Sequence, residues 1–115
     1  MATLRLTKFF QFSASHENNG RIIGHNYTLS VTMDWLSEED EAAVVKNIEQ
    51  DLMAKIRSRD LSLHVDFLKG VQVNEANLLR EFEAILKKSV TPVKIYQLTL
   101  RRDDRTLVAM EIVKP

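Results

Sequence analysis

Cysteine is absent from the 115 residues, which excludes disulfides, a thiolate nucleophile and any zinc site built on sulfur. Any catalysis must therefore use oxygen or imidazole. Only two prolines and three glycines punctuate the chain, so it holds no linker and no low-complexity stretch. Neither sign of charge is in excess, since sixteen Lys and Arg balance sixteen Asp and Glu. Without a net field to gather phosphate backbones or anionic lipid, neither a nucleic-acid nor a membrane partner is expected. No apolar run approaches the ~18 residues of a transmembrane helix, and the opening MATLRLTKFF alternates instead of forming a signal-peptide core. A cytoplasmic protein is expected. The remainder, 44% hydrophobic and 28% charged, is ordinary globular usage and predicts one domain over 1–115, small enough to benefit from oligomerisation.

Alternation dominates the N-terminal third. From Leu4 to His16 the even positions are mostly apolar, and Glu17-Asn18-Asn19-Gly20 reads as the turn. Ile23, His25, Tyr27, Leu29, Val31, Met33 and Trp35 then alternate with smaller or polar residues. Two such runs around a turn predict a long hairpin. Ser37-Glu38-Glu39-Asp40 opens a helix, with Val45, Ile48, Leu52 and Ile56 at helical spacing and Met53 widening the stripe, ending between Arg57 and Asp60. Its acidic start reads as a solvated first turn favoured by the helix dipole. Leu61 to Val73 has no clean period. Leu78, Phe82, Ile85 and Leu86 mark a second helix to about Ser89, stopped by Thr91-Pro92. Val93 to Arg101 and Thr106 to Val113 form a second hairpin around Arg102-Asp103-Asp104-Arg105. The order ββααββ predicts an α+β fold, a four-stranded antiparallel sheet with both helices on one face.

Two histidines fall on the face that meets the helices. His16 ends the even side of the first strand and His25 sits on the odd side of the second, so they meet across the hairpin. Two imidazoles are half of a zinc site, whereas a catalytic zinc takes three protein ligands. The same pair is also consistent with core histidines satisfied by backbone or by each other. His64 lies in the irregular stretch.

Phe12-Ser13-Ala14-Ser15-His16, followed by Gly24-His25-Asn26-Tyr27, resembles the hairpin signature of the 6-pyruvoyl-tetrahydropterin synthases and the related 6-carboxy-tetrahydropterin synthases, F-x-A-x-H and then H-G-H-N-Y. Leu63-His64 stands where that family has Asp-His, and Asn74-Glu75-Ala76-Asn77 where it has T-x-E-N. The resemblance implies the tunnelling fold, in which three subunits join their sheets into a barrel and two rings stack into a hexamer with active sites between subunits. It also implies a zinc held by three histidines, which map to His16, Ile23 and His25. The family's catalytic cysteine falls near Asn18 to Gly20, and its catalytic histidine at His64. The substrate-facing positions of the second helix map to Asn74, Ala76 and Asn77, and the pterin-anchoring glutamate falls at or beside Arg101.

Measured against that pattern, the chain departs where the family does its chemistry. Ile23 cannot coordinate, no cysteine is present, Leu63 cannot orient His64, and Arg101 offers a cation where a carboxylate would accept hydrogen bonds. The expectation is a homo-oligomer, a trimer or hexamer, that keeps the scaffold and has lost the zinc-dependent lyase chemistry, with a pocket that takes a different small molecule or serves assembly. No cofactor is required by these residues, and zinc is left open. An active zinc lyase with a substitute ligand such as Glu17, and a non-enzymatic module pairing through a sheet edge, are the alternatives.

Overall fold

The computed structural model describes residues 2–112. Strands β1 (Arg5–Asn18) and β2 (Arg21–Asp34) form the first hairpin, paired in unbroken antiparallel register from Arg5↔Asp34 to Asn18↔Arg21. The turn is shorter than the sequence suggested. Asn19 and Gly20 both take positive φ, 54° and 77°, the two-residue geometry that continues the right-handed strand twist. Glu17 and Asn18 therefore belong to the strand.

Helix α1 (Glu38–Ile48) starts at Ser37, whose hydroxyl accepts from the Asp40 amide. It passes directly into a π-helical turn at Glu49–Met53 and a last α-helical turn at Ala54–Ile56. The buried positions explain the wider turn. Val44, Ile48, Leu52 and Ile56 face the core, and a spacing of four drifts about 40° per step around a straight α-helix. A π turn, with its larger residue count, takes up that drift and brings Leu52 and Met53 inward together. Val44 is the buried residue where Val45 was expected; Val45 is only partly covered.

The segment without a period does have a structure. Ser15 donates its amide to Arg59 O and accepts at its own carbonyl from Leu61 N, at 3.0 and 2.6 Å, so residues 58–62 run beside β1 as a short parallel bridge. Helix α2 (Glu75–Val90) follows and stops before Thr91-Pro92, as expected from the steric demand of proline on the residue before it. Strands β3 (Ile95–Arg102) and β4 (Thr106–Glu111) form the second hairpin; Val113, expected in the last strand, lies outside the described residues.

The sheet order is β1-β2-β3-β4, antiparallel throughout, with both helices on one face. Phe10, Phe12, Tyr27, Leu29, Leu98 and Leu100 turn toward Ile48, Leu52, Phe82 and Leu86 and are all buried. Since β2 meets β3 only from Tyr27 to Met33, the distal end of the first hairpin projects past the sheet. That projection carries His16 and His25. Among the described residues, no helix is long and apolar enough to cross a membrane.

Candidate functional site

In the register, Ala14 pairs with His25 and His16 with Ile23. The two imidazoles thus meet on the diagonal, ring centroids 5.6 Å apart and 29° from parallel, as the pleat predicts for residues on one sheet face. The edge of His25 meets Tyr27 at 5.9 Å, and Tyr27 stacks on Phe12 at 4.9 Å. An aromatic ladder therefore leads from the core out to the histidines.

The β3–β4 turn closes one side of the hairpin. Asp103, at φ 52°, exchanges two hydrogen bonds with the backbone of Asn26: its amide donates to Asn26 O at 2.6 Å and its Oδ1 accepts from Asn26 N at 3.0 Å. Its Oδ2 meets His25 Nδ1 at 2.9 Å. The Asn26 amide, then the His25 ring, hold the Asp103 carboxyl below the ordinary carboxylate range. An ionised carboxylate only accepts, so His25 donates from Nδ1 and its ring orientation is fixed.

His16 has no such partner. Its Nδ1 is buried without a hydrogen bond, and burial first, then the neighbouring His25, lower its pKa from 6.5, against the opposing pull of Glu75 and Asp60. Glu75 opens α2 with its side chain buried and pairs with Arg102 Nη1 at 3.1 Å, while Arg102 Nη2 donates to Thr106 Oγ1 at 3.1 Å. The Tyr27 hydroxyl is pushed up to about 12, chiefly by burial and then by the charge of Glu75.

The expected site residues separate into three places. His16 and His25 come together; His64 does not join them, lying exposed on a depression bordered by Lys55, Arg59 and Phe67. Asn74 and Asn77 are engaged in the cap of α2: Asn74 Oδ1 accepts from Asn77 N at 2.8 Å, and Asn77 Nδ2 donates to Gln72 O at 2.9 Å. Arg101 points to the opposite sheet face, where a cavity of about 590 Å³ is lined by Gln11, Ser13, Asn26, Arg57, Arg101 and Asp104 among others. A neighbouring cavity of about 440 Å³ reaches His25 and Asp60, and Ser13, Asn26, Ser58 and Asp103 border both. Sequence reasoning missed Glu75, Arg102 and Asp103. The Arg102–Arg105 stretch read only as the turn of the second hairpin, and the substrate-facing glutamate was sought at Ala76, which is exposed, while Glu75 turns inward.

No protein-family model and no curated protein sequence matches this chain. A solved structure does: 6-pyruvoyl tetrahydropterin synthase from Caenorhabditis elegans, with a TM-score of 0.83, 98% of each chain covered and 18% sequence identity. The fold is that of a 6-pyruvoyl tetrahydropterin synthase. At this identity the likeness establishes architecture, and the chemistry has to be judged from the side chains.

The zinc implied by the family resemblance needs a third donor beside His16 and His25, and the residue directly across from His16 is Ile23. Glu17 does not substitute, because alternation along β1 turns it to the face away from His16. Among the described residues no three His, Asp or Glu side chains are grouped to hold a metal. The residues present do not fit a three-ligand zinc on the 6-pyruvoyl tetrahydropterin synthase fold.

Proposed function

We propose that this chain is a self-associating small-molecule-binding protein on the 6-pyruvoyl tetrahydropterin synthase fold, acting in the cytoplasm, without the zinc-dependent lyase chemistry. The observation that carries this reading is Ile23 opposite His16, an aliphatic group where the third imidazole would stand. Leu63 beside an exposed His64 supports it, since a leucine accepts no hydrogen bond and lends the imidazole no basicity. The ligand site we assign is the pair of adjoining cavities over Ser13 and Asn26. Their volumes, about 590 and 440 Å³, lie within the usual range for small ligands. The Arg101 guanidinium and the Asp104 carboxylate, beside an Arg57 already paired with Glu49 and an Asp103 already bonded to His25 and Asn26, suit a small polar molecule offering both donors and acceptors.

Self-association follows from the edges. Strands β1 and β4 bound the sheet, and Phe9 and Leu107, 69% and 62% exposed, stand on the same outer face at those two edges. Pairing β1 of one copy with β4 of the next covers both and closes a ring. Metal analysis on untagged protein, a lyase assay and light scattering test the proposal together. Substoichiometric zinc, turnover equal to the blank and a trimer or hexamer are expected. Stoichiometric zinc with chelator-sensitive turnover overturns the loss of chemistry, and a monomer overturns the assembly. A second reading, an active zinc enzyme with an unrecognised ligand, draws on the unpartnered His16 Nδ1 and on the His25–Asp103 pair, an arrangement also used to orient metal-binding imidazoles.

A further inference from the structure

Lys55, Arg59 and His64 converge on a depression of about 380 Å³ on the far side of the residue 58–62 segment, walled by Val65 and Phe67. Among the described residues none of these three side chains forms an ion pair or a hydrogen bond. The reason lies in the local backbone. Asp60, the acid adjacent to Arg59 in the chain, is turned away: its Oδ1 accepts from the amides of Ser62 and Leu63 at 2.9 and 3.1 Å, and its Oδ2 faces Ser15 Oγ at 3.4 Å. Asp66 is the single acid on the rim, so two fixed cations and an imidazole face one carboxylate in a chain whose sixteen Lys and Arg balance sixteen Asp and Glu.

The backbone that carries the three groups is held in place. Lys55 stands on the last turn of the first helix. The Arg59 carbonyl is tied to Ser15 N at 3.0 Å, and the His64 amide to Asp60 O at 2.9 Å. Phe67 is braced edge-on against buried Phe82, with ring centroids 6.3 Å apart. A guanidinium fork, an ammonium and an imidazole set around one depression match an oxyanion approached from several sides. The apolar wall accommodates a carbon skeleton attached to it.

We infer that Lys55, Arg59 and His64 form a binding site for a small phosphate- or carboxylate-bearing anion. It lies apart from the cavity at Arg101, although Arg59 borders both this depression and the one reaching His25. Because the chain has three histidines, their ring proton signals in an NMR titration provide the readout, with His64 assigned from H64Q. On adding inorganic phosphate or acetate at constant pH, with chloride at matched ionic strength as the control, the His64 signal is expected to shift and saturate while those of His16 and His25 stay. Saturation with phosphate alone assigns the site to phosphate groups; saturation with both assigns it to oxyanions generally. K55Q and R59Q should each weaken binding about three- to fivefold, as for exposed charge pairs, and the double variant should abolish saturation. A His64 signal that moves no further with either anion than with chloride overturns the proposal without any variant being needed. Equal affinity in the folded double variant and the parent overturns it as well.

Discussion

Ile23 faces His16 directly across the hairpin and lies two residues from His25 on the same strand face, so Ile23→His places a third imidazole beside the other two. Replacing a partly buried aliphatic group with an unpartnered imidazole destabilises the chain, and a bound metal returns stability through linkage, about 2.7 kcal/mol at ~100 times Kd. The variant should melt below the parent in chelator and rise by several degrees with zinc, the parent responding little; equal zinc shifts in thermal melts of the two would show that the parent already holds the ion. His16 itself gives a pH signature. Its pKa is lowered from 6.5 in the fold, so protonation is harder in the folded state than in the unfolded one. The stability due to neutral His16 is complete above that value and is lost as pH falls through the lower folded value. Melting temperature should therefore drop between pH 7 and pH 5 more steeply in the parent than in His16→Gln; parallel curves would contradict the shift. Period-two alternation made His16, Ile23 and His25 legible as one face. Asp103 was not legible, because its contact with His25 spans 78 residues and depends on a loop turning back at positive φ. Glu75 was displaced by a motif match one residue along, a step of about 100° around a helix that decides which side chain points inward.

At the scale of elements, the cap of α2 decides how Asn74 should behave. Its side chain satisfies the Asn77 amide, one of the donors a helix start leaves open. Asn74→Ala should cost about 1 kcal/mol, a drop of roughly 4 °C in melting temperature for a domain of this size, with the far-UV spectrum retained. A variant that melts with the parent would remove the capping role and return Asn74 to consideration as a ligand contact alone. The two hairpins and two helices were readable because each carries a sustained hydrophobic period. The π turn at Glu49–Met53 was not: apolar residues at 48, 52, 53 and 56 satisfy a helical stripe by eye, and only the four-residue spacing from Val44 betrays the extra residue per turn. The 58–62 segment was equally silent, since its order comes from backbone hydrogen bonds to β1, from Asp60 and from one buried side chain, Leu61, none of which sets up a hydrophobic period.

For the whole molecule, the question is what closes the sheet. The stretch of β1 nearest the hairpin tip is already covered, Ser13 and Ser15 giving their outward backbone groups to Ser58, Arg59 and Leu61. Among the described residues nothing covers the stretch from Arg5 to Phe9 in this way, and it carries exposed Phe9. At the other edge, β4 presents Leu107 on the same face. Proteins that stay monomeric protect such edges with charge, and a lysine pointing into a strand–strand seam is an effective block because its ammonium cannot be desolvated there. Phe9→Lys with Leu107→Lys should therefore convert the proposed ring into single chains. Neither side chain belongs to the buried core, so thermal melting measured on the separated chains should stay cooperative. Light scattering at micromolar concentration reads the outcome directly, as a fall from the mass of a trimer or hexamer to that of one chain. A double variant that keeps the parent's mass would place the assembly contact elsewhere and remove edge pairing as its basis.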